Sequence, residues 1–172
     1  MRFVPGILLV GLVLTSGACA QDSGSLNELI RFEDPLTCTP ADELSVLIIE
    51  TVRFDGPDVK LADPLPVSPR FRKRIGQPQL GRRDNEYWVT IPLFGSWRGI
   101  PVVSLTRRGW MDSEHGFTLT FDGSKEQVLA TLNEVGFQLP PSGEVVRDGG
   151  ELRSFISVSS EAGKTALHCY VG

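Results

Sequence analysis

The chain has 172 residues, 41% of them hydrophobic and 22% charged, with a formal net charge of −4. That length and mixture suit one globular domain whose core needs no metal, and they exclude a long disordered or collagen-like chain. The charge is unevenly placed, because the first 21 residues carry only Arg2 while all 21 acids lie beyond them.

That first stretch reads as an address. Arg2 supplies a positive start, Ile7 to Leu14 forms a short apolar run, and Ala18-Cys19-Ala20 offers a small-residue cleavage pattern. A membrane span needs about 20 consecutive apolar residues, and Pro5, Gly6 and Gly11 break the run well short of that. An export signal over residues 1–20 is therefore expected. Two processing routes stay open: cleavage after Ala20, or lipidation of Cys19 within Ser16-Gly17-Ala18-Cys19, a lipobox pattern that lacks the usual Leu. Either one predicts a periplasmic or secreted protein, the second with outer-membrane attachment through the lipidated Cys19.

Both routes leave Cys38 and Cys169 as the only thiols of the folded part. In an oxidising compartment two cysteines imply one disulfide. The competing reading is a catalytic Cys169 activated by His168. Neighbouring residues on a strand point to opposite faces, so the pattern favours a structural bridge.

After a tether over 21–37, in which Leu26 to Phe32 suggests one or two helical turns, a single domain is expected over 38–172. Thr39-Pro40-Ala41-Asp42-Glu43 reads as a helix start with Thr39 as N-cap, and Leu44, Leu47 and Ile48 continue one face. Whether residues 45–54 are helix or strand is left open by their β-branched content. A long basic, proline-rich loop is expected at about 55–86, holding Arg70, Arg72, Lys73, Arg74, Arg82 and Arg83.

From Asn85 the period changes to two. Tyr87, Val89, Ile91 and Leu93 alternate with Trp88 and Thr90, Val102 to Leu105 forms a second strand, and Phe117, Leu119 and Phe121 mark a third. Pro92 points to an edge or a bulge. Ser124 opens a helix that Gly136 closes. Leu152 to Val158 and Ala166 to Val171 complete the set around a turn at Glu161–Lys164. The fold class is α+β: an antiparallel sheet of about five strands packed by one or two helices, with one disulfide.

Chemistry is sparse. The chain has no nucleophile elbow, zinc motif, phosphate loop or Cys-x-x-Cys pair, so no catalytic residue, metal site or cofactor is assigned. His115 with Asp112 or Glu114 is the one candidate for a small hydrolase, and it lacks an oriented partner. The acids of Asp55-Gly56-Pro57-Asp58 and Asp148-Gly149-Gly150-Glu151 read as turns. Between Arg53 and Arg108 stand eleven basic residues against five acids. A basic stretch on an acidic exported chain points to an anionic envelope component or another exported protein as partner, not to nucleic acid. The expected function is a non-catalytic binding module that uses Arg72, Lys73, Arg74, Arg82 and Arg83 for charge, with Trp97 or Trp110 as aromatic anchor. An inhibitor of a secreted hydrolase is the alternative.

Overall fold

The computed structural model describes residues 24–56, 58–110, 113–148 and 153–172, with backbone only at 113–115. The stretch expected as an export signal, with Cys19, and residues 21–23 lie outside the described residues, as do Asp112 and residues 149–151. From Gly24 onward the chain belongs to the folded body. Leu26, Leu29 and Ile30 are buried, and the Leu26 amide donates to the Ser96 carbonyl at 2.8 Å. This corrects the expected tether. Three apolar side chains on one turn each gain about 1.5–3 kcal/mol on leaving water, which outweighs a solvated linker.

Strand β1 (Phe32–Asp34) pairs with the two-residue β2 (Thr39–Pro40), and helix α1 (Asp42–Ile49) follows. Thr39 is therefore not the N-cap. Ala41 holds that position, and the Thr39 hydroxyl bonds that of Thr37 at 2.8 Å instead. Asp42 and Glu43 occupy the first turn, where the helix dipole favours acids. The open stretch at 45–54 divides cleanly: α1 runs to Ile49, and β3 (Val52–Asp55) begins a hairpin with β4 (Asp58–Leu61). The last carbonyls of α1 are fastened from across the core. Arg107 Nη1 donates to the carbonyls of Ile48 at 3.0 Å and Ile49 at 2.6 Å.

The segment expected as one long loop carries three short elements. Besides β4 it holds a 3-10 segment, Pro69–Arg74, anchored by buried Phe71, and strand β5 (Gln79–Arg83). Prolines removed the periodic signal without preventing local order.

Strands β6 (Glu86–Trp97), β7 (Ile100–Trp110) and β8 (Ser113–Phe121) form the expected meander. Pro92 sits inside the sheet, where the register shifts between Pro92 and Gly95. A bulge supplies the place at which a missing N–H is tolerated. Helix α2 (Lys125–Glu134) starts where the Ser124 hydroxyl accepts the Gln127 amide proton, and it ends before Gly136 at φ +106°. Strands β9 (Glu144–Asp148), β10 (Arg153–Glu161) and β11 (Lys164–Val171) follow, the last two joined by Ala162-Gly163, both at positive φ.

All seven strands from β5 to β11 join in one sheet, ordered β5-β6-β7-β8-β11-β10-β9. The sheet thus exceeds the expected size of about five. The two unforeseen members, β5 and β9, are its edges. Helix α2 carries the chain from β8 to the far edge, and the return through β10 brings β11 against β8. The class remains α+β with antiparallel pairing throughout the sheet. Cys38 and Cys169 form the expected disulfide, with Cα atoms 6.0 Å apart, a separation ordinary for such a bridge. It ties the start of the domain to the middle of the sheet.

Candidate functional site

Alternation along the strands assigns side chains to two faces. Tyr87, Val89, Ile91, Leu105, Leu119, Leu167 and Ile156 point to one side, where they join Leu26, Leu44, Leu47, Val128 and Leu132 in the core. Residues between them point to the other side, and the burial pattern shows no described element packed over it. Trp110, Phe155 and Val146 on that side are 39%, 43% and 56% exposed.

The strand registers organise this uncovered face into cross-strand rows. One row runs Thr90, Thr106, Thr118, His168 and Ser157, on β6, β7, β8, β11 and β10 in turn. The next runs Gly81, Trp88, Arg108, Gly116, Tyr170, Phe155 and Val146. The first is a ladder of hydrogen-bonding groups and the second an aromatic band. Thr90 and Thr106 hydroxyls lie 3.2 Å apart, Thr118 Oγ1 is 3.1 Å from His168 Nδ1, and Ser159 Oγ is 2.8 Å from His168 Nε2.

Two glycines shape the aromatic band. A Cβ on Gly81 would enter the indole of Trp88, and one on Gly116 would enter the ring of Tyr170. Each ring therefore lies down over the neighbouring strand and leaves its other surface outward. The glycines here permit close approach, and neither has a left-handed backbone. The Tyr170 and His168 rings stack at 6.4 Å with 9° between their planes.

His168 is half-buried by this packing. Burial pushes its pKa below the ordinary histidine value, and the Arg108 cation adds to the shift. The imidazole is thus neutral at neutral pH, and either tautomer serves Thr118 and Ser159 together. Ser159, His168 and Thr118 place a hydroxyl, a base and an orienting group in one line, which is part of what nucleophilic catalysis needs. The rest is missing among the described residues. No carboxylate orients the imidazole, and the backbone amides of these inner strands are committed to the sheet ladder, in its plane, which leaves no pair aimed at an oxyanion. The geometry suits binding better than acyl transfer.

The residues expected from the sequence to act together are dispersed. Trp97 is 2% exposed and donates its indole N–H to the Ile30 carbonyl at 2.9 Å, so it is a core residue and no surface anchor. Arg82 pairs with Asp58 at 3.2 Å. Arg74 is half-buried against the backbone of Gly24. Arg72 and Lys73 are exposed on the 3-10 segment and have no ion pair among the described residues. Arg83 lies on the uncovered face opposite Glu86, whose partner on the other side is Trp110. The 3-10 cations reach the sheet through the bridge of Ile75 with Leu93, and Leu93 is roughly 23 Å along β6 from Glu86. They do not share a surface with Arg83 and Trp110. Much of the basic excess is also neutralised locally, by the Arg70–Glu43, Lys60–Asp55 and Arg108–Glu86 pairs at 3.6, 2.6 and 3.5 Å.

Tyr170, Phe155 and the threonine ladder were not singled out from the sequence, and His168 was weighed only as an activator of Cys169. Their signal was the strand alternation itself, which marks the second face without saying that it is bare. His115 lies in β8, and its side chain is outside the described residues. No group of three or more His, Cys, Asp or Glu residues able to hold a metal occurs among the described residues. A shallow cleft of about 480 Å³ lies elsewhere, lined by Glu28, Arg31, Trp97, Arg98 and Glu134 among others. Its charges are mixed, and Arg31 is already paired with Asp42 at 3.3 Å. Comparison with family models, curated proteins and solved structures finds no match to this chain.

Proposed function

We propose that the chain is a non-catalytic binding module of an exported compartment and that the uncovered face of its seven-stranded sheet is the recognition surface. One observation carries the reading. Phe155, 43% exposed, and the half-buried Trp88 and Tyr170 sit in a single row across the inner sheet with no described element over them. A core-forming sheet gains nothing by directing aromatic rings outward unless something covers them, and exposed aromatics mark contact surfaces. The disulfide is compatible with export.

The second reading places an anionic envelope component on Arg72 and Lys73, which are exposed and unpaired among the described residues. An inhibitor of a secreted hydrolase would use the same cations against an acidic cleft. Retention of the purified protein on isolated cell-envelope fractions separates these readings. Thr106→Lys with Thr118→Lys puts two charges in the middle of the bare face and is expected to weaken retention by about tenfold, the effect of losing roughly 1.4 kcal/mol. Arg72→Glu with Lys73→Glu is expected to leave it within about twofold on the same scale. The opposite ranking would transfer the function to the basic segment.

A further inference from the structure

We infer that the occupant of the uncovered sheet face is an uncharged polysaccharide chain lying across the strands, with its pyranose faces on Trp88, Tyr170 and Phe155 and its hydroxyls along the threonine–histidine ladder. The inference rests on the reading of this face as the recognition surface.

The dimensions come from the sheet. The ladder from Thr90 to Ser157 crosses five neighbouring strands, a span of roughly 19 Å at the usual strand spacing. The aromatic band runs parallel to it, two residues further along each strand, or about 7 Å away. The surface is therefore a straight track, apolar on one side and hydrogen-bonding on the other, without a closed end. A pyranose polymer has that same division. Its ring faces present C–H groups that rest on aromatic rings, and its edges present hydroxyls that both donate and accept. Thr, Ser and neutral His side chains also donate and accept, so they match a hydroxyl in either role.

Charge complementarity decides among the occupants. Arg83, Arg108 and Arg153 around the two rows stand against Glu86, Glu144 and Asp148, and Arg108–Glu86 and Arg153–Asp148 are already paired at 3.5 and 3.1 Å. Among the described residues the charges of the face balance and leave no field to attract nucleic acid or an anionic headgroup, both of which call for a basic surface. An extended peptide docks by adding to a sheet edge, because it needs free backbone partners. The backbone of β7, β8, β11 and β10 has none to spare, since each of these strands is paired on both sides. What remains to the face is its side chains, and these fit a neutral polyol.

Affinity electrophoresis of the full chain through gels containing hydroxyethyl cellulose, with alginate as the acidic counterpart, tests this. Retardation is expected in the neutral gel, weakened about tenfold by Tyr170→Ala and preserved by Tyr170→Phe, which keeps the ring. Titration of the unaltered protein with the same glycan should shift its tryptophan fluorescence, a readout that does not depend on any variant folding. Absence of both effects, or equal retardation of Tyr170→Ala, would overturn the inference. Retardation by alginate alone would overturn it in favour of an anionic ligand. Envelope retention that Thr106→Lys with Thr118→Lys abolishes, without any response to neutral glycan, would sink the polysaccharide and leave the binding face standing.

Discussion

His168 concentrates the chemistry of the bare face in one side chain. Its imidazole bonds Thr118 and Ser159, and burial holds its pKa below the ordinary value, with Arg108 acting in the same direction. The folded protein consequently resists a proton that the unfolded chain accepts near pH 6.5. In the window between that value and the lower folded value, the unfolded state binds more protons, so stability rises with pH there. This contribution is fully present above pH 6.5 and is lost as pH falls toward the folded pKa. Denaturant unfolding of the wild type should show a falling midpoint from about pH 7 to pH 5, and His168→Asn should flatten that part of the curve. An unchanged slope in the variant would assign the pH dependence to other groups. At the same scale, Trp97 and Trp110 are indistinguishable in sequence, each a tryptophan ending a strand near an arginine. The neighbour that separates them is remote: the Ile30 carbonyl receives the Trp97 indole N–H, and only folding brings it there.

At the scale of elements, local signals succeeded where the energy is local. Helix α2 is set by Ser124 at its start and Gly136 beyond its end, both within a few residues of what they cap. Ser124→Ala should cost about 1 kcal/mol, readable as a shift in the urea midpoint, because the Gln127 amide loses its acceptor. A shift too small to measure would mean that water replaces the cap. The hairpin of β10 and β11 was legible for the same reason, since Ala162-Gly163 must turn the chain in place. Edge strands β5 and β9 were not. Gln79–Arg83 and Glu144–Asp148 are short and polar, and their order comes from the ladders that β6 and β10 offer them. Thr39–Pro40 failed differently. The N-cap pattern was present, but pairing with Phe32–Asp34 claimed both residues and moved the helix start to Asp42.

At the scale of the whole molecule, the disulfide links two parts of the chain that lie far apart in sequence. Cys38 precedes α1, and Cys169 lies on β11, 131 residues later. Both are buried in the core cluster. On the chain-entropy account, closing a loop of that length stabilises the fold by about 4–5 kcal/mol. Replacing both cysteines with serine should therefore lower the unfolding free energy by about 2–5 kcal/mol, measured by denaturant titration. A loss below about 1 kcal/mol would show that N-terminal packing by Leu26, Leu29 and Ile30 suffices alone. The pairing itself was legible, because two thiols admit one bridge.

The sequence by itself determined the α+β class, the pairing of Cys38 with Cys169, the meander and the boundaries of α2, because alternation, capping and cysteine number act over short range or leave one choice. The tertiary structure alone decided which side of the strands is bare. A period of two sorts residues into two faces and is silent on which one the helices cover, and that assignment sends Trp97 inward while leaving Trp88, Tyr170 and Phe155 on the open face. It also dispersed the basic segment, since charges adjacent in the chain met different acids once α1, β4 and β6 were brought alongside them.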